Sequence, residues 1–237
     1  MIKTILAYLL LIISISVSGH KAVSENTLNL LSDTNKVSIE RQVLFNGRLW
    51  KNQFSNINGH QFLSTSDFLT GSVKIDDDTF DSVKIRYDIF NDELNVQKDA
   101  QTIIQLNKEL INCFTMYYYD ENLNFLNFDN DTISALKGYW QILYDASVKI
   151  YVRYTKDILP STITNGPPKF NQVNTIYLLK DGKYYRINTK RELLGIFTDK
   201  LEQNAIKRFI KSNYIRISRQ NPVSIRQVFE YYETLVD

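Results

Sequence analysis

Residues 82–97 read SVKIRYDIFNDELNVQ. Val83, Ile85, Tyr87 and Ile89 alternate with polar residues, the period of a strand that buries one face. Asn91-Asp92 supplies two residues that tolerate positive φ, as a tight two-residue hairpin turn demands. A turn centred there sets Ile89 opposite Leu94 and Tyr87 opposite Val96, so both strands direct their apolar residues to one face. The stretch reads as an antiparallel hairpin.

The same pattern extends in both directions. Upstream, Val73 and Ile75 alternate, Asp77-Asp78 makes a turn and Phe80 faces Ile75. The apolar phase then slips from Phe80 to Val83, which predicts a bulge at Asp81-Ser82. Downstream, strand-like runs cover 102–106, 110–119 and 123–128, with a turn at Asp120-Glu121-Asn122. Another hairpin joins 138–143 to 147–154 around Asp145-Ala146. Asp181-Gly182 is the strongest primed-turn signal in the chain, between 175–179 and 184–187. Pro160, Gly166, Pro167 and Pro168 exclude regular strand from 159–169. Before the sheet, residues 43–45, 49–50 and 61–63 read as short strands or loops, with Asn46-Gly47 as a turn. The expected fold is mainly β: an antiparallel β-meander forming a curved sheet, roll, half-barrel or sandwich, with short C-terminal α-helices. The 15 Tyr and 13 Phe suit it, since rings pack well on pleated surfaces.

The period changes at Asn188. Thr189/Glu192 and Asp199/Glu202 have capping-box spacing, and Asn221-Pro222 suits an N-cap and first helical position. The expected inner faces are Leu193, Leu194 and Phe197; then Leu201, Ala205, Phe209 and Ile210; then Ile225, Val228, Phe229 and Tyr232. Lys207, Arg208, Lys211, Arg216, Arg219 and Arg226 make this tail basic, either as a solvated face or as a surface for an acidic partner.

Lys3, the apolar run over 5–15 and the small residues Ser16 and Ser18 have the order of a cleaved export signal. The run is shorter than the roughly 20 residues that span a bilayer. The expected organisation is a signal peptide over 1–18, a linker over 19–36 with a helical turn at 27–31, a β domain over 37–187 and a helical segment over 188–237. That places the mature chain in the periplasm or cell envelope, or outside the cell, with no transmembrane span. The lone cysteine, Cys113, forms no internal disulfide and reads as a core residue. A net charge of +2 gives no reason to expect nucleic acid. Two histidines and eight scattered glycines support neither a metal cluster nor a phosphate loop, so no cofactor and no metal are expected.

The export signal, the segment GSVKIDDDTFDSVKIRYDIFNDELNV over 71–96, the DGKYYRI hairpin over 181–187 and the short C-terminal helices together resemble uncharacterised exported proteins of Bacteroidota. The resemblance implies a location and a fold, and brings no activity with it.

The candidate ligand-binding residues are Trp50, Tyr117, Tyr119 and Trp140, as an aromatic platform for a saccharide, a peptide or a small apolar ligand. Asp76, Asp77 and Asp78 lack the glycine and distal glutamate of a calcium loop and read as a solvated turn. Asp88, Asp92 and Glu93 crowd one hairpin end but suit its turn and polar face. The expected function is a non-enzymatic binding or structural protein, with another envelope protein or a small apolar or saccharide ligand as the expected partner. The alternatives are a half-barrel carrier of an apolar ligand and a hydrolase working through paired carboxylates.

Overall fold

Gly47–Leu49 (β1), Leu69–Ile75 (β2), Asp78–Asp88 (β3), Glu93–Gln97 (β4) and Ile103–Leu106 (β5) are followed by Ile111–Tyr118 (β6), Glu121–Asn127 (β7), Tyr139–Asp145 (β8), Lys149–Leu159 (β9), Lys169–Lys180 (β10) and Lys183–Arg186 (β11). The computed structural model describes residues 42–129, 136–163 and 166–236, so the expected signal peptide and linker lie outside the described residues. The described residues from 44 onward form one compact unit.

Among the described residues all eleven strands belong to one sheet, in the order β1-β5-β4-β3-β2-β6-β7-β8-β9-β10-β11, and every strand pair is antiparallel. Sequential pairing is interrupted twice, first at β1, which pairs β5 instead of β2. After β5 the chain returns to the free edge of β2 and runs from there to β11.

Long-range contacts show that this sheet is curled. With strands about 4.8 Å apart, β3 and β8 would lie about 19 Å apart in a flat sheet. Their Tyr87 and Tyr139 rings are 5.6 Å apart between centroids. Asp92, just past β3, reaches Arg153 of β9 at 3.2 Å. The link from β5 to β6 is only residues 107–110, including a 3-10 turn at Lys108–Leu110, yet it spans four strand spacings of the sheet order. Residues 58–63 close the seam. Asn58 bridges Lys169, Phe62 bridges Asp88, and Lys156 Nζ donates to the carbonyls of His60 (2.6 Å) and Phe62 (2.7 Å).

The concave face is solid. Tyr87, Phe114, Phe125 and Tyr139 are each at most 1% exposed and pack ring against ring, with Phe114 and Phe125 stacked at 4.7 Å. Three helices fill the other end of this face: α1 (Lys190–Leu194), α2 (Lys200–Ser212) and α3 (Val223–Val236). Val148, Ile150, Val152, Ile176 and Leu178 of the sheet region meet Leu193, Phe197, Ile206, Ile210, Ile225, Val228 and Phe229. Each large apolar side chain so buried contributes roughly 1.5–3 kcal/mol.

Local chemistry explains where the expected register holds and where it slips. The bulge stands where the phase slip places it: Gly71 pairs Val83 and Val73 pairs Phe80, leaving Asp81-Ser82 opposite Ser72, with Ser82 at φ 57°. The Asp181-Gly182 turn also forms, both residues having positive φ. The 82–97 hairpin keeps its faces but shifts its pairing by two residues, to Tyr87↔Leu94 and Ile85↔Val96. The cause is Asp88, whose carboxylate accepts from the backbone of Phe90 and Asn91 and from Asn91 Nδ2, making a longer loop over 89–92. Ile89 is thereby released to donate its N–H to Gln61 of the seam. The β2–β3 turn sits one residue earlier, at Asp76-Asp77, with Asp76 at φ 49°. The β6–β7 turn is Tyr119-Asp120, and a bulge at Leu143 moves the β8–β9 turn to 146–148.

In the helices, Thr189 and Glu192 form the full capping box and Asp199 caps Leu201 N. The inner face of α2 is Ile206 and Ile210, whereas Leu201 is exposed at the first turn. The stripe of α3 is as expected, with Ile225, Val228 and Phe229 fully buried. Among the described residues no helix is long and apolar enough to cross a membrane.

Candidate functional site

The register of four strands lines up one polar row. Arg48 of β1 pairs Gln105 of β5, Gln105 pairs Asn95 of β4, and Asn95 pairs Arg86 of β3. Alternation puts Glu93 and Asp88 on the same face, because each lies two residues from a member of the row. The adjacent row, Leu49-Ile104-Val96-Ile85, takes the opposite face and is apolar.

Trp50 extends β1, its N–H donating to Ile103 O, and its ring lies over this polar face. Beneath it the Arg86 guanidinium sits 3.7 Å from the Phe62 ring, 4.3 Å from Phe68 and 4.8 Å from Trp50. Arg86 Nη1 donates to Ser66 O, while Nε, Nη2 and both amide atoms of Asn95 find no protein partner. Burial brings the Arg86 pKa down to about 10, against the opposing pull of Asp88 and Asp67. An aromatic cage favours a cation electrostatically and offsets part of that desolvation.

Above this row lies a cleft of about 260 Å³ whose lining includes Arg48, Trp50, Gln61, Asn91, Glu93 and Gln105. Arg48 spans it, Nε to Gln105 Oε1 and Nη2 to Glu93 Oε1, both at 2.8 Å. Burial raises the Glu93 carboxyl pKa despite Arg48. Phe54 packs edge-on against Phe90 and Phe170, tying the cleft wall to the seam. The cleft thus offers carboxylate, guanidinium and amide groups beside one indole, held on a sheet and a packed segment.

On the concave side, Asp92 is a hub. Oδ1 accepts from Tyr87 OH (2.6 Å) and from Tyr139 N–H (3.4 Å), and Oδ2 from Lys108 Nζ (2.7 Å) and Arg153 Nη2 (3.2 Å). Lys108 also pairs Asp129 at 2.6 Å, and Asp129 accepts from Gly138 N–H. Burial alone would lower the Lys108 pKa, but its bonds to Asp129 and Asp92 outweigh that and raise it. Burial alone would raise Asp129, and Lys108 with the Gly138 N–H lowers it instead. Gly138 has φ 79°, and a Cβ there would overlap Asp92 Oδ2 and Arg153 Nη2, so this position requires glycine. Burial also brings Lys156 of the seam to a pKa of about 8.

Three of the four expected ligand residues are elsewhere. Trp140 is 3% exposed, packs against Tyr177, and donates Nε1–H to Lys137 O, so it presents no ring to a ligand. Tyr117 and Tyr119 are exposed at the β6–β7 turn, with Tyr119 in the turn itself at φ 52°. Trp50 alone lies in the cleft. Of the three crowded acids, Asp88 is spent on its turn, Asp92 on the hub, and only Glu93 lines the cleft. Cys113 is half-buried rather than in the core. Among the described residues no group of three or more His, Cys, Asp or Glu is placed to hold a metal.

Arg48, Gln61 and Gln105 have no motif in the sequence, and Asn91 is legible there only as a turn residue; the alternation marks 93, 95 and 105 as outward, but only the pairing register assembles the row. Comparison with family models, curated proteins and solved structures finds no match to this chain.

Proposed function

We propose that the protein is a non-enzymatic binding protein of the periplasm or cell envelope, whose cleft holds a small hydroxylated ligand of the saccharide class. The observation that carries this reading is Trp50 beside Arg48, Glu93, Gln61 and Gln105 in one cleft of about 260 Å³. A sugar ring presents C–H groups to an aromatic face and hydroxyls to amides and charged groups, and small-molecule sites combine these two surfaces. Binding without turnover is favoured because a glycosidase of the retaining type needs two carboxyl groups about 5 Å apart, both facing the sugar. Asp88 and Glu93 are cross-strand partners, yet the Asp88 carboxylate is wholly buried and bonded to its own turn.

The carrier alternative needs an open apolar concavity, and the concave face here is occupied by Tyr87, Phe114, Phe125, Tyr139 and the helices. Trp50→Ala should weaken binding of a responding mono- or disaccharide by about tenfold or more in calorimetry, the loss typical of a central aromatic anchor. Equal affinity in wild type and variant would remove Trp50 from the site. Export rests on Lys3, the apolar run over 5–15, Ser16 and Ser18. Expressed with its native N-terminus in a Gram-negative host, the protein should reach the envelope with a mass matching cleavage after Ser18; an uncut cytoplasmic chain refutes that part.

A further inference from the structure

The helical side of the molecule carries a second concavity of different chemistry. It measures about 770 Å³, with Leu194, Ile210, Ile215 and Ile217 as its apolar floor. Lys190, Lys207, Lys211 and Arg216 also line it, and among its described lining residues there is no carboxylate. The whole chain has a net charge of only +2, whereas the charged residues lining this concavity are all cationic.

Local structure shapes the groove. After α2, Asn213 Nδ2 donates to Phe209 O and Tyr214 takes a left-handed φ of 53°. The chain then reverses, Ile215 N–H bonding Ile210 O, and lays 215–217 back along the helix. Ile210 and Leu194 are 2% and 8% exposed, so the floor is recessed below the cationic side chains. Tyr214 stands at the margin, 93% exposed.

We propose that this groove docks an acidic segment of a partner protein, carboxylates against the lysines and an apolar side chain on the isoleucine floor. Charge complementarity carries the argument: four cations crowd one concavity, and a carboxylate-bearing partner relieves their mutual repulsion while steering its own approach. Spacing agrees. Lys207 and Lys211 are one helical turn apart, about 6 Å along the axis. Alternate side chains of an extended peptide rise by about 6.6 Å. A recessed floor admits an inserted side chain and suits a flat bilayer poorly, which favours a peptide over a lipid surface.

The test is fluorescence anisotropy with a labelled short peptide alternating glutamate and leucine. The same peptide with lysine for glutamate, and phosphatidylserine-containing vesicles, are the comparison arms. The proposal expects binding of the acidic peptide, weakened by salt, and a loss of at least about tenfold in Lys207→Glu/Lys211→Glu. Lys74→Glu/Lys183→Glu, an equal charge change on the sheet, should bind as wild type, and circular dichroism should show all proteins folded. Undiminished binding by Lys207→Glu/Lys211→Glu, equal binding of both peptides, or association with vesicles alone would overturn it.

Discussion

Asp92→Ala should destabilise the protein by about 3 kcal/mol at pH 7, read from urea or thermal midpoints. Asp92 holds the curl shut: one carboxylate joins Tyr87 of β3, Lys108 of the β5–β6 link and Arg153 of β9. Its removal leaves Lys108 and Arg153 facing the single remaining carboxylate of Asp129, and strips the Tyr87 hydroxyl of its acceptor inside the core. Losing one partner of a fully buried pair costs about 3–5 kcal/mol, and partial solvent access places this case at the lower end. Asp92 itself is 15% exposed and its cationic partners nearly twice that. Asp92→Asn keeps the shape and loses the charge, so it should recover little of the difference.

The pH dependence has a definite sign. The Lys108 pKa is raised, so its stabilising contribution is whole below its ordinary 10.5 and fades as pH rises through the folded value. The Asp129 pKa is lowered, so its contribution is whole above its ordinary 3.8 and fades as pH falls through the folded value. The cluster therefore acts at full strength across neutral pH. A change within about 0.5 kcal/mol of wild type for Asp92→Ala, the range of ordinary surface substitutions, would deny the hub its role.

Phe114→Ala should cost about 4 kcal/mol, the larger of the two effects. Phe114 stacks on Phe125 and meets Tyr87 and Tyr139 edge-on, so its deletion opens a cavity bordered by three rings. Those rings come from three different strands and are held by the curl, which limits how far they can collapse into the gap. Phe114→Leu keeps most of the volume and should cost under about 1.5 kcal/mol. Tyr119, 88% exposed in its turn, is the matched control, where truncation should move stability by less than about 0.5 kcal/mol. A Phe114→Ala loss below about 1 kcal/mol would mean that the concave face is loosely filled, and would reopen the carrier reading.

Which features were legible in the sequence follows from how local their causes are. The bulge at Ser82, the Asp181-Gly182 turn and the Thr189/Glu192 capping box each depend on a few adjacent residues, and each stands where the pattern puts it. The 82–97 hairpin kept its faces because alternation sets them, but its register depended on Asp88 binding Asn91 and on Ile89 pairing with Gln61. That second partner is distant in sequence and no local rule reveals it. The return of β6 to β2 is similarly invisible, since hairpin signals say which strands are joined and not which edge the next one takes.

The candidate site was less legible than the fold. Composition marks rings, but Trp140 and Trp50 differ in what covers them: Trp140 lies under Tyr177, while Trp50 is at the cleft. The cleft's other groups come from β1, β4, β5, the β3–β4 loop and the segment over 51–61; the strand groups are brought together by pairing between neighbouring strands that are distant in sequence.

The central claim is that the cleft over the β1-β5-β4-β3 polar row, and not the concave interior, receives the ligand. Titrating the labelled protein with a panel of mono- and disaccharides while recording 15N–1H correlation spectra tests it directly. The account predicts shifts at the Trp50 indole N–H and the Gln105 and Gln61 side-chain amides, silence at Phe114 and Tyr139, and loss of the effect in Trp50→Ala. Shifts confined to the Tyr87–Phe114–Phe125–Tyr139 core, or a response to a fatty acid and to no sugar, would contradict it.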